Sequence, residues 1–424
     1  MLYTPIFFRN IIRKIFITIC CIVCSNSLLL QALAADKCKD YRLLDGADSV
    51  INYGMDTTDH WWAITKPFSG QYRLIVDGIS SVNVYENIKQ PVFSPDGNHW
   101  AAFGYRTSGW ELITEKKIIR STATNAGEIA FSQNGTMAYS LFDGDLETIY
   151  LENNRYLAQN RRSQLSLSYN GSIISYVCAR FGGQFIRTNG VDGTQFDEIK
   201  LQGIWSDGNP FYAGRQGRYW KIYKADQEIS GSYESITEMA INPFGTNGAA
   251  VCNGQQSAEV FLYSDEYFQP LESKRYDRIE QLVLHPYLPM VGFKGVVNNI
   301  AKIVLNRTEY DAGKEASPPF FTCDGSEFIY FGFDVDFFVS LNGKKYIQES
   351  NVSLGQQYAV MPGSMTFAYS TNSAMVVREI EKNYSYSGRM FDQAIPPRYN
   401  RRREQYETLA LIGNRLILLV CKMN

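Results

Sequence analysis

The chain has 424 residues, of which 45% are hydrophobic and 14% aromatic, with 28 Tyr and 25 Phe. Flat aromatic side chains suit a pleated surface, so the composition favours strands over helices, and the length is enough to bury a sizeable core. Lys and Arg number 41 against 43 Asp and Glu, a net charge of −2. This balance excludes a global field that would draw the protein to nucleic acid or anionic lipid.

The first segment has the pattern of an export signal. Three basic residues between positions 9 and 14 precede the apolar stretch 15–33, and Ala32-Leu33-Ala34 has the small, large, small pattern that signal peptidase accepts. We expect a signal peptide over 1–34 and a mature chain that is periplasmic or extracellular, with no stable membrane insertion. An uncleaved anchor is the alternative, because 15–34 approaches the roughly 20 residues that span a bilayer.

Five cysteines remain after that cleavage, so at least one is unpaired. Cys38 lies near the mature N-terminus and Cys421 near the C-terminus. If the fold closes on itself, these two could meet and form a disulfide in an oxidising compartment. The alternative is five buried thiols that behave as small apolar side chains.

A repeated hairpin runs through most of the chain. Its clearest copy is the strand and turn Pro91-Val92-Phe93-Ser94-Pro95-Asp96-Gly97, which is followed by a second strand over 100–105. Asp-Gly or Asn-Gly provides the positive φ that a tight hairpin turn needs. Further copies centre on the turns with Gly135, Gly171, Gly208, Gly245, His285-Pro286, Gly325, Gly363 and Gly413, with an upstream copy at Gly54.

The turn glycines from 97 to 245 are spaced by 36 to 38 residues, and each interval has room for four short strands. A single four-stranded antiparallel sheet cannot bury both faces, so neighbouring sheets must stack around an axis. We therefore predict an all-β fold, a β-propeller of four-stranded antiparallel blades over 35–424. The number of repeat units stays open between about eight and ten, in one ring or two. The last copy, 408–420, has only two strands, so we expect the N-terminal strand at 41–44 to close the last blade.

The best copies resemble the WD40-like repeat family of bacterial exported propellers, which includes the TolB type. Phe93-Ser94-Pro95-Asp96-Gly97 followed by Ala101-Ala102-Phe103 matches that repeat well, and the copies at 131, 168 and 205 match it in part. The resemblance implies a fold and export rather than an activity, because propellers have many unrelated functions.

No set of residues in the sequence forms a known catalytic or metal-binding motif. His60 and His99 occupy equivalent repeat positions, and His285 stands where Ser94 stands in the best copy, which indicates turn or packing residues. Asp143 with Asp145, and Asp334 with Asp336, lack the further carboxylates of a calcium loop. We predict no catalytic, cofactor-binding or metal-binding residues and no cofactor.

One segment outside the repeat carries a concentration of basic side chains. We interpret 393–407 as an insertion loop whose Arg398, Tyr399, Arg401, Arg402 and Arg403 bind a partner, because Arg and Tyr are enriched at interfaces. A solvated loop is the alternative.

The sequence favours a non-enzymatic role in protein binding or as a scaffold at the cell envelope or surface, with a protein or a cell-surface polymer as partner. An exported carbohydrate-active hydrolase or lyase with its site in the propeller funnel is the rival hypothesis. A structural subunit of a surface assembly is a third. The sequence does not fix the oligomeric state.

Overall fold

The computed structural model describes residues 37–46, 48–68, 70–265, 271–272, 274–348, 357–381 and 384–422. The predicted signal peptide over 1–34 and its cleavage site lie outside these residues. Within them the secondary structure consists of strands and turns, and no helix is long and apolar enough to cross a membrane. The prediction of an all-β fold is confirmed.

The chain divides into two compact units. The described part of unit 1 comprises residues 37–46, 357–361 and 366–422, and that of unit 2 comprises residues 48–348, with the gaps given above, and 362–365. Together the described residues form ten small antiparallel blades of the propeller type, eight in unit 2 and two in unit 1. The prediction of four-stranded propeller blades is therefore confirmed, at the upper end of the expected number.

Unit 2 contains blades 1 to 8, whose strands follow one another in chain order. Blade 1 has β2 (Ser49–Met55), β3 (Trp61–Lys66), β4 (Arg73–Val76) and β5 (Ile79–Ser80); blade 2 has β6 (Asn87–Ile88), β7 (Val92–Phe93), β8 (Trp100–Arg106), β9 (Gly109–Thr114) and β10 (Ile118–Arg120). Blade 3 has β11 (Asn125–Phe131), β12 (Met137–Asp143), β13 (Leu146–Leu151) and β14 (Asn154–Ala158); blade 4 has β15 (Ser166–Leu167), β16 (Ile174–Arg180), β17 (Gly183–Thr188) and β18 (Val191–Phe196). Blade 5 has β19 (Glu198–Ile204), β20 (Pro210–Gln216), β21 (Tyr219–Lys224) and β22 (Gln227–Glu228); blade 6 has β23 (Ser235–Ile241), β24 (Asn247–Asn253), β25 (Ala258–Ser264) and β26 (Leu271–Glu272). Blade 7 has β27 (Arg278–Leu284), β28 (Val291–Val297), β29 (Ile300–Leu305) and β30 (Thr308–Asp311); blade 8 has β31 (Glu315–Ala316), β32 (Phe320–Phe321), β33 (Phe328–Phe333), β34 (Phe337–Leu341) and β35 (Lys344–Gln348).

Unit 1 contains blades 9 and 10. Blade 9 has β36 (Tyr358–Met361), β37 (Thr366–Ser370), β38 (Met375–Glu379) and β39 (Tyr384–Ser387). Blade 10 has β40 (Gln393–Ala394), β41 (Arg398–Asn400), β42 (Gln405–Ile412) and β43 (Arg415–Lys422), and its outermost strand is β1 (Cys38–Leu44). Because β1 pairs antiparallel with β43, the prediction that the N-terminal strand closes the last blade is confirmed.

The hydrophobic core lies between neighbouring blades. In unit 2, Trp62 and Ile64 of blade 1 share one buried cluster with Ala102 and Ile113 of blade 2, and equivalent clusters recur along the unit. First strands of successive blades lie against one another, as β19 does against β23 and β23 against β27. This arrangement buries the facing sides of neighbouring blades and places the first strands on the inner side of unit 2.

The turn that joins the first strand of a blade to the second, here called the inner turn, has the same construction in most blades. Ser94 Oγ accepts a hydrogen bond from the backbone N–H of His99 at 2.9 Å and donates to Asp96 Oδ1 at 2.5 Å. Ser132, Ser168 and Thr322 do the same in blades 3, 4 and 8. A left-handed residue completes the turn, as Gly97 does with φ of +72°.

Two of the glycines that mark the repeat in the sequence do not complete inner turns in the structure. Gly54 lies inside β2, and the inner turn of blade 1 is completed instead by Asp59, with φ of +77°, 38 residues before Gly97. In blade 10, Gly413 belongs to the second turn, and Glu404, with φ of +49°, takes the left-handed position of the inner turn. A search for turn glycines misses both, because Asp and Glu replace Gly there at a modest steric cost.

The prediction of an insertion loop over 393–407 is wrong. Residues 393–394 and 398–400 both pair with β42, so this segment is the interrupted first strand of blade 10 followed by its inner turn. Pro396-Pro397 cause the interruption, because proline has no N–H to donate to the ladder. The first strands of blades 2 and 8 are interrupted in the same way at Pro91 and at Pro318-Pro319.

Candidate functional site

The inner turns of unit 2 present a row of aromatic rings to solvent. Tyr169 of blade 4 stacks on Phe244 of blade 6 with ring centroids 5.5 Å apart, and Phe244 lies 5.5 Å from Tyr287 of blade 7. The three residues keep 45%, 36% and 47% of their surface exposed, and Leu288 beside them keeps 50%. We call Tyr169, Phe244, Tyr287 and Leu288 the aromatic row.

Local turn geometry positions each ring. Tyr169 follows Ser168, whose hydroxyl holds the turn through Asn170 Oδ1 and the N–H of Ile173. Phe244 follows Asn242, whose Oδ1 accepts the N–H groups of residues 246 and 247 at 2.8 and 3.1 Å. With the polar cap turned into the loop, the next side chains point away from the blade and into solvent.

His285 supports the Tyr287 end of the row. Its Nδ1 accepts the N–H groups of Tyr287 and Leu288 at 3.0 and 2.9 Å, and its Nε2 lies 2.9 Å from the carbonyl oxygen of Gly325 in blade 8. The ring also packs edge-on against Phe321, at 5.0 Å. Burial lowers the pKa of His285 more than the Gly325 carbonyl and the Asp324 charge raise it, so the neutral ring is favoured.

Blade 5 lies between blades 4 and 6 in the sequence but adds no ring to the aromatic row. Its inner turn begins with Trp205, which is fully buried and donates its indole N–H to Asp265 Oδ1 at 2.6 Å. Lys224 Nζ lies 2.9 Å from both Asp207 and Asp265 and 5.1 Å from the centroid of the Trp205 ring. The indole is thus committed to packing and the exposed groups of this turn are polar.

Charge on the inner turns of unit 2 is of one sign. Each inner turn spans five residues, as 94–98 does in blade 2. In blades 1 to 8 these segments contain no lysine or arginine but five aspartates, namely Asp56, Asp59, Asp96, Asp207 and Asp324. Hydrogen bonds hold the pKa of Asp96 and Asp324 below the ordinary value against the opposing effect of burial. Of the five, Asp207 and Asp324 belong to blades 5 and 8, so carboxylates lie on inner turns adjacent to the aromatic row.

The other two histidines also belong to inner turns. His60 Nε2 lies 2.8 Å from the carbonyl oxygen of Gly97 in blade 2, and its Nδ1 lies 2.5 Å from Asp77. His99 Nδ1 lies 2.8 Å from Glu115. Burial lowers the pKa of His60, but the bonds to Asp77 and Gly97 and the charges of Asp77 and Asp56 outweigh it and raise the pKa overall.

The structure separates the five residues predicted from 393–407 into two groups. Arg398 Nη2 lies 3.0 Å from the buried carboxylate of Glu407, and Tyr399 packs against Tyr406 at 5.8 Å, so both belong to the interior of blade 10. Arg401, Arg402 and Arg403 lie on the exposed inner turn, where Asn400 Oδ1 accepts the N–H groups of Arg402 and Arg403 at 3.1 Å.

The predicted cysteine pair and the acidic pairs have clear positions. Cys38 and Cys421 are joined by a disulfide between β1 and β43. Cys178 and Cys252 are free and buried, and Cys323 is free and exposed. Asp143, Asp145, Asp334 and Asp336 lie on exposed second turns. Across the described ranges, no group of three or more His, Cys, Asp or Glu side chains is placed to hold a metal ion.

Sequence reasoning missed the aromatic row. Two other large rings of unit 2 are not part of it, because Trp110 and Trp220 are buried under Lys89 and Lys200, which lie 5.3 and 4.7 Å from the ring centroids. One sequence feature could have identified the row: Phe244 and Tyr287 stand where Asp96 stands in the best copy, so an aromatic residue replaces a polar turn residue. An aromatic side chain at a turn position gains nothing from the turn itself.

Comparison with known proteins identifies similar folds only. No protein-family model and no curated protein matches the sequence. Solved structures that it resembles include the Dos1 propeller (11% identity, TM-score 0.36, covering 78% of this chain and 90% of that one) and TolB from Acinetobacter baumannii (12%, 0.29, 70% and 77%). Oligogalacturonate lyase in complex with manganese is another (11%, 0.34, 71% and 96%). At such low identity the similarity concerns the propeller fold alone.

Proposed function

We propose that this protein is a non-enzymatic binding or scaffolding module of the cell envelope or surface, and that the aromatic row captures a segment of a partner protein. The single observation that carries the proposal is the contiguous contact of the exposed rings of Tyr169, Phe244 and Tyr287, which three separate turns bring together. Scattered exposed apolar residues are ordinary, whereas contiguous ones mark interaction sites.

The chemistry of the row favours a particular kind of segment. Aromatic faces bind proline and other apolar side chains without requiring them to fold first. The adjacent inner turns of blades 5 and 8 carry Asp207 and Asp324, although Lys224 offsets part of the charge at Asp207. A segment that combines proline or aromatic residues with Lys or Arg fits this surface, because its cations would meet the aspartates.

Export agrees with the disulfide between Cys38 and Cys421, since such bonds persist in oxidising compartments. The non-enzymatic assignment is supported by the use of His60 and His285 as contacts between inner turns. Both ring nitrogens of each histidine are already bound to protein groups, so neither ring has a nitrogen left to take a proton from a substrate.

Peptide display on immobilised protein tests the proposal. We expect selected peptides to be rich in Lys or Arg with proline or aromatic residues, and to lose at least about tenfold in affinity for a Tyr169→Ala/Phe244→Ala/Tyr287→Ala variant. A Phe181→Ala/Tyr219→Ala variant is the matched control, because both of these rings are exposed in unit 2 outside the row. Equal loss in the two variants, or selection of acidic peptides, would remove the row from consideration.

The arginine turn of blade 10 stays a second candidate surface. The side chains of Arg401 and Arg402 have no hydrogen-bond or ion-pair partner among the described residues, and both residues are exposed. We propose that they contact an acidic stretch of the same or another partner. Peptides selected on an Arg401→Ser/Arg402→Ser/Arg403→Ser variant should lack any acidic class that the unaltered protein selects; an unchanged selection would argue against the turn.

A carbohydrate-active enzyme is the alternative that one observation favours. Burial, with a smaller contribution from the Asp324 charge, raises the pKa of Glu327, as a general acid requires. Its carboxylate accepts the N–H of Gly363 at 3.3 Å. A screen on acidic and neutral polysaccharides, with Glu327→Gln as the paired variant, decides between the two: cleavage that the variant loses would establish the enzyme.

A further inference from the structure

A second charged site lies in unit 1, at the other end of β42 from the arginine turn. A cleft of about 440 Å³ opens beside β1 and β43, and its lining includes Asp40, Arg42 and Asp45, together with Arg389 and Arg415. The volume falls within the range of small-ligand sites, but the lining is ionic rather than apolar. Such a lining suits a compact charged ligand.

Strand register explains why these side chains share one face. Asp40 and Arg42 are two residues apart on β1, and Arg415 and Ile417 are two apart on β43, so each pair points to a single side of its strand. Arg42 lies directly opposite Ile417. Pairing of β1 with β43 therefore brings charges from the two ends of the chain together, on the blade that the Cys38–Cys421 disulfide fastens.

The cleft holds more cationic than anionic groups. Arg389 Nη1 lies 2.8 Å from Asp40 Oδ2, and Arg42 Nη1 lies 2.9 Å from Asp45 Oδ1. For the side chain of Arg415 the described residues provide no hydrogen-bond or ion-pair partner, and the residue is exposed. Three guanidinium groups thus face two carboxylates, which leaves one positive charge uncompensated.

Both existing ion pairs are open to solvent. The side chains of Arg42 and Asp45 are 59% and 79% exposed, so their pair is weak and can be exchanged for a ligand at little cost. A guanidinium presents a planar fork of donors that matches the oxygens of a carboxylate or phosphate group. Arg415 can offer this fork without first releasing a protein partner.

We propose that the unit 1 cleft is a binding site for a compact oxyanion, a carboxylate or phosphate group, with Arg415 as its principal ligand and Arg42 as a second donor. Asp45 competes with the ligand for Arg42. The site is independent of the aromatic row, which belongs to unit 2, and of the arginine turn.

Calorimetric titration of the full mature chain at low ionic strength tests this site. Inorganic phosphate, acetate and citrate are separate probes, so that binding of phosphate alone separates a phosphate site from a general carboxylate site. We expect Arg415→Gln to weaken binding about twofold to fivefold, as loss of one exposed charge contact does. Asp45→Asn should strengthen binding, because it frees Arg42.

Arg307→Gln is the matched control, since Arg307 is an exposed arginine on a turn of unit 2. Unchanged circular dichroism of each variant excludes misfolding as the cause. The proposal is overturned if no probe binds, if Arg415→Gln binds as the unaltered protein does, or if Arg307→Gln weakens binding as much. Weaker binding by Asp45→Asn would also contradict it, because a carboxylate that repels the ligand cannot be needed for binding.

Discussion

The inner turns of unit 2 and the inner turn of blade 10 in unit 1 both connect the first and second strands of a blade, but they use different residues. In unit 2 an Asp, Ser, Thr, Asn or His side chain caps the turn in every blade except blade 5, and a glycine most often takes the left-handed position. In blade 10 Asn400 provides the cap, but Glu404 replaces the glycine and three arginines replace the aspartates. The side-chain cap is therefore a feature that blade 10 shares with most turns of unit 2, and the glycine is not.

Unit 2 and blade 10 of unit 1 also differ in the sequence separation of the contacts that stabilise them. In unit 2 each inner turn touches the next, as His60 contacts Gly97 and His285 contacts Gly325, so the contacts are spaced by one repeat. Blade 10 instead joins residues from opposite ends of the chain, 383 positions apart, through a disulfide and the β1–β43 ladder. Local contacts hold unit 2, and a long-range closure holds blade 10.

Removal of the disulfide should give the largest change and should affect unit 1 first. For a loop of this length we expect Cys38→Ser/Cys421→Ser to lower the free energy of unfolding by roughly 5 kcal/mol. All six tryptophans lie in unit 2, so their fluorescence reports that unit, while hydrogen exchange of β42 and β43 amides reports blade 10. Loss of protection confined to blades 1 to 8 would contradict the comparison.

Loss of Arg398 should lower the free energy of unfolding more than loss of Arg403, because Arg398 lies closer to the buried carboxylate of Glu407. Arg398 is 17% exposed and lies 3.0 Å from Glu407, which is 1% exposed, whereas Arg403 is 56% exposed and lies 3.7 Å away. Arg398→Ala should cost about 3–5 kcal/mol in urea unfolding, because it leaves a buried charge without its closest cation. Arg403→Ala, the control, should cost less than about 1 kcal/mol. Equal losses would show that both arginines are structural.

Two glycines with similar backbone angles should tolerate substitution by alanine to different degrees, because their neighbours differ. Gly325 and Gly363 have φ of +73° and +68°, but a Cβ on Gly325 would lie 2.4 Å from the His285 ring, and one on Gly363 meets nothing within 4 Å. Gly325→Ala should therefore lower the midpoint of thermal unfolding more than Gly363→Ala, by about 1–3 kcal/mol in free energy. Similar midpoints for the two variants would mean that backbone strain, rather than contact with His285, determines the loss of stability.

Histidines in the same role should respond to pH in opposite directions, which is the smallest of these effects. The pKa of His60 is raised, so its contribution to stability is present below the unfolded value near 6.5 and is lost as pH rises through the folded pKa. The pKa of His285 is lowered, so its contribution is present above about 6.5 and is lost as pH falls. His60→Gln and His285→Gln should change the slope of unfolding free energy between pH 5 and 8 with opposite signs; equal slopes would contradict the assignment.

Most of the fold was predictable because the same short sequence pattern recurs in most blades. The turns around Gly97, Gly135 and Gly171 have the right spacing and chemistry, and short apolar runs flank them. The prediction failed at 393–407, where Pro396-Pro397 remove two backbone donors and make a strand read as a loop. Pro91 interrupts the best copy in the same way, so the sequence contained the precedent.

The sites were less predictable, for reasons that the structure makes plain. Arg398 and Arg401 look equivalent in the sequence, but the alternation of β41 turns Arg398 towards Glu407, while the turn leaves Arg401 in solvent. Tyr169 and Phe244 are 75 residues apart, and only the stacking of blades brings their rings to 5.5 Å. Arg42 and Arg415 meet only because β1 pairs with β43.

By itself, the sequence determined the strand class, the hairpin period and the need for an N-terminal strand to complete the last blade, because these follow from turn chemistry and alternation along a few residues. The tertiary structure alone decided which arginines are buried, which aromatic rings form a common surface and which charges share the unit 1 cleft. Those outcomes depend on contacts between residues far apart in the chain, and local spacing does not encode them.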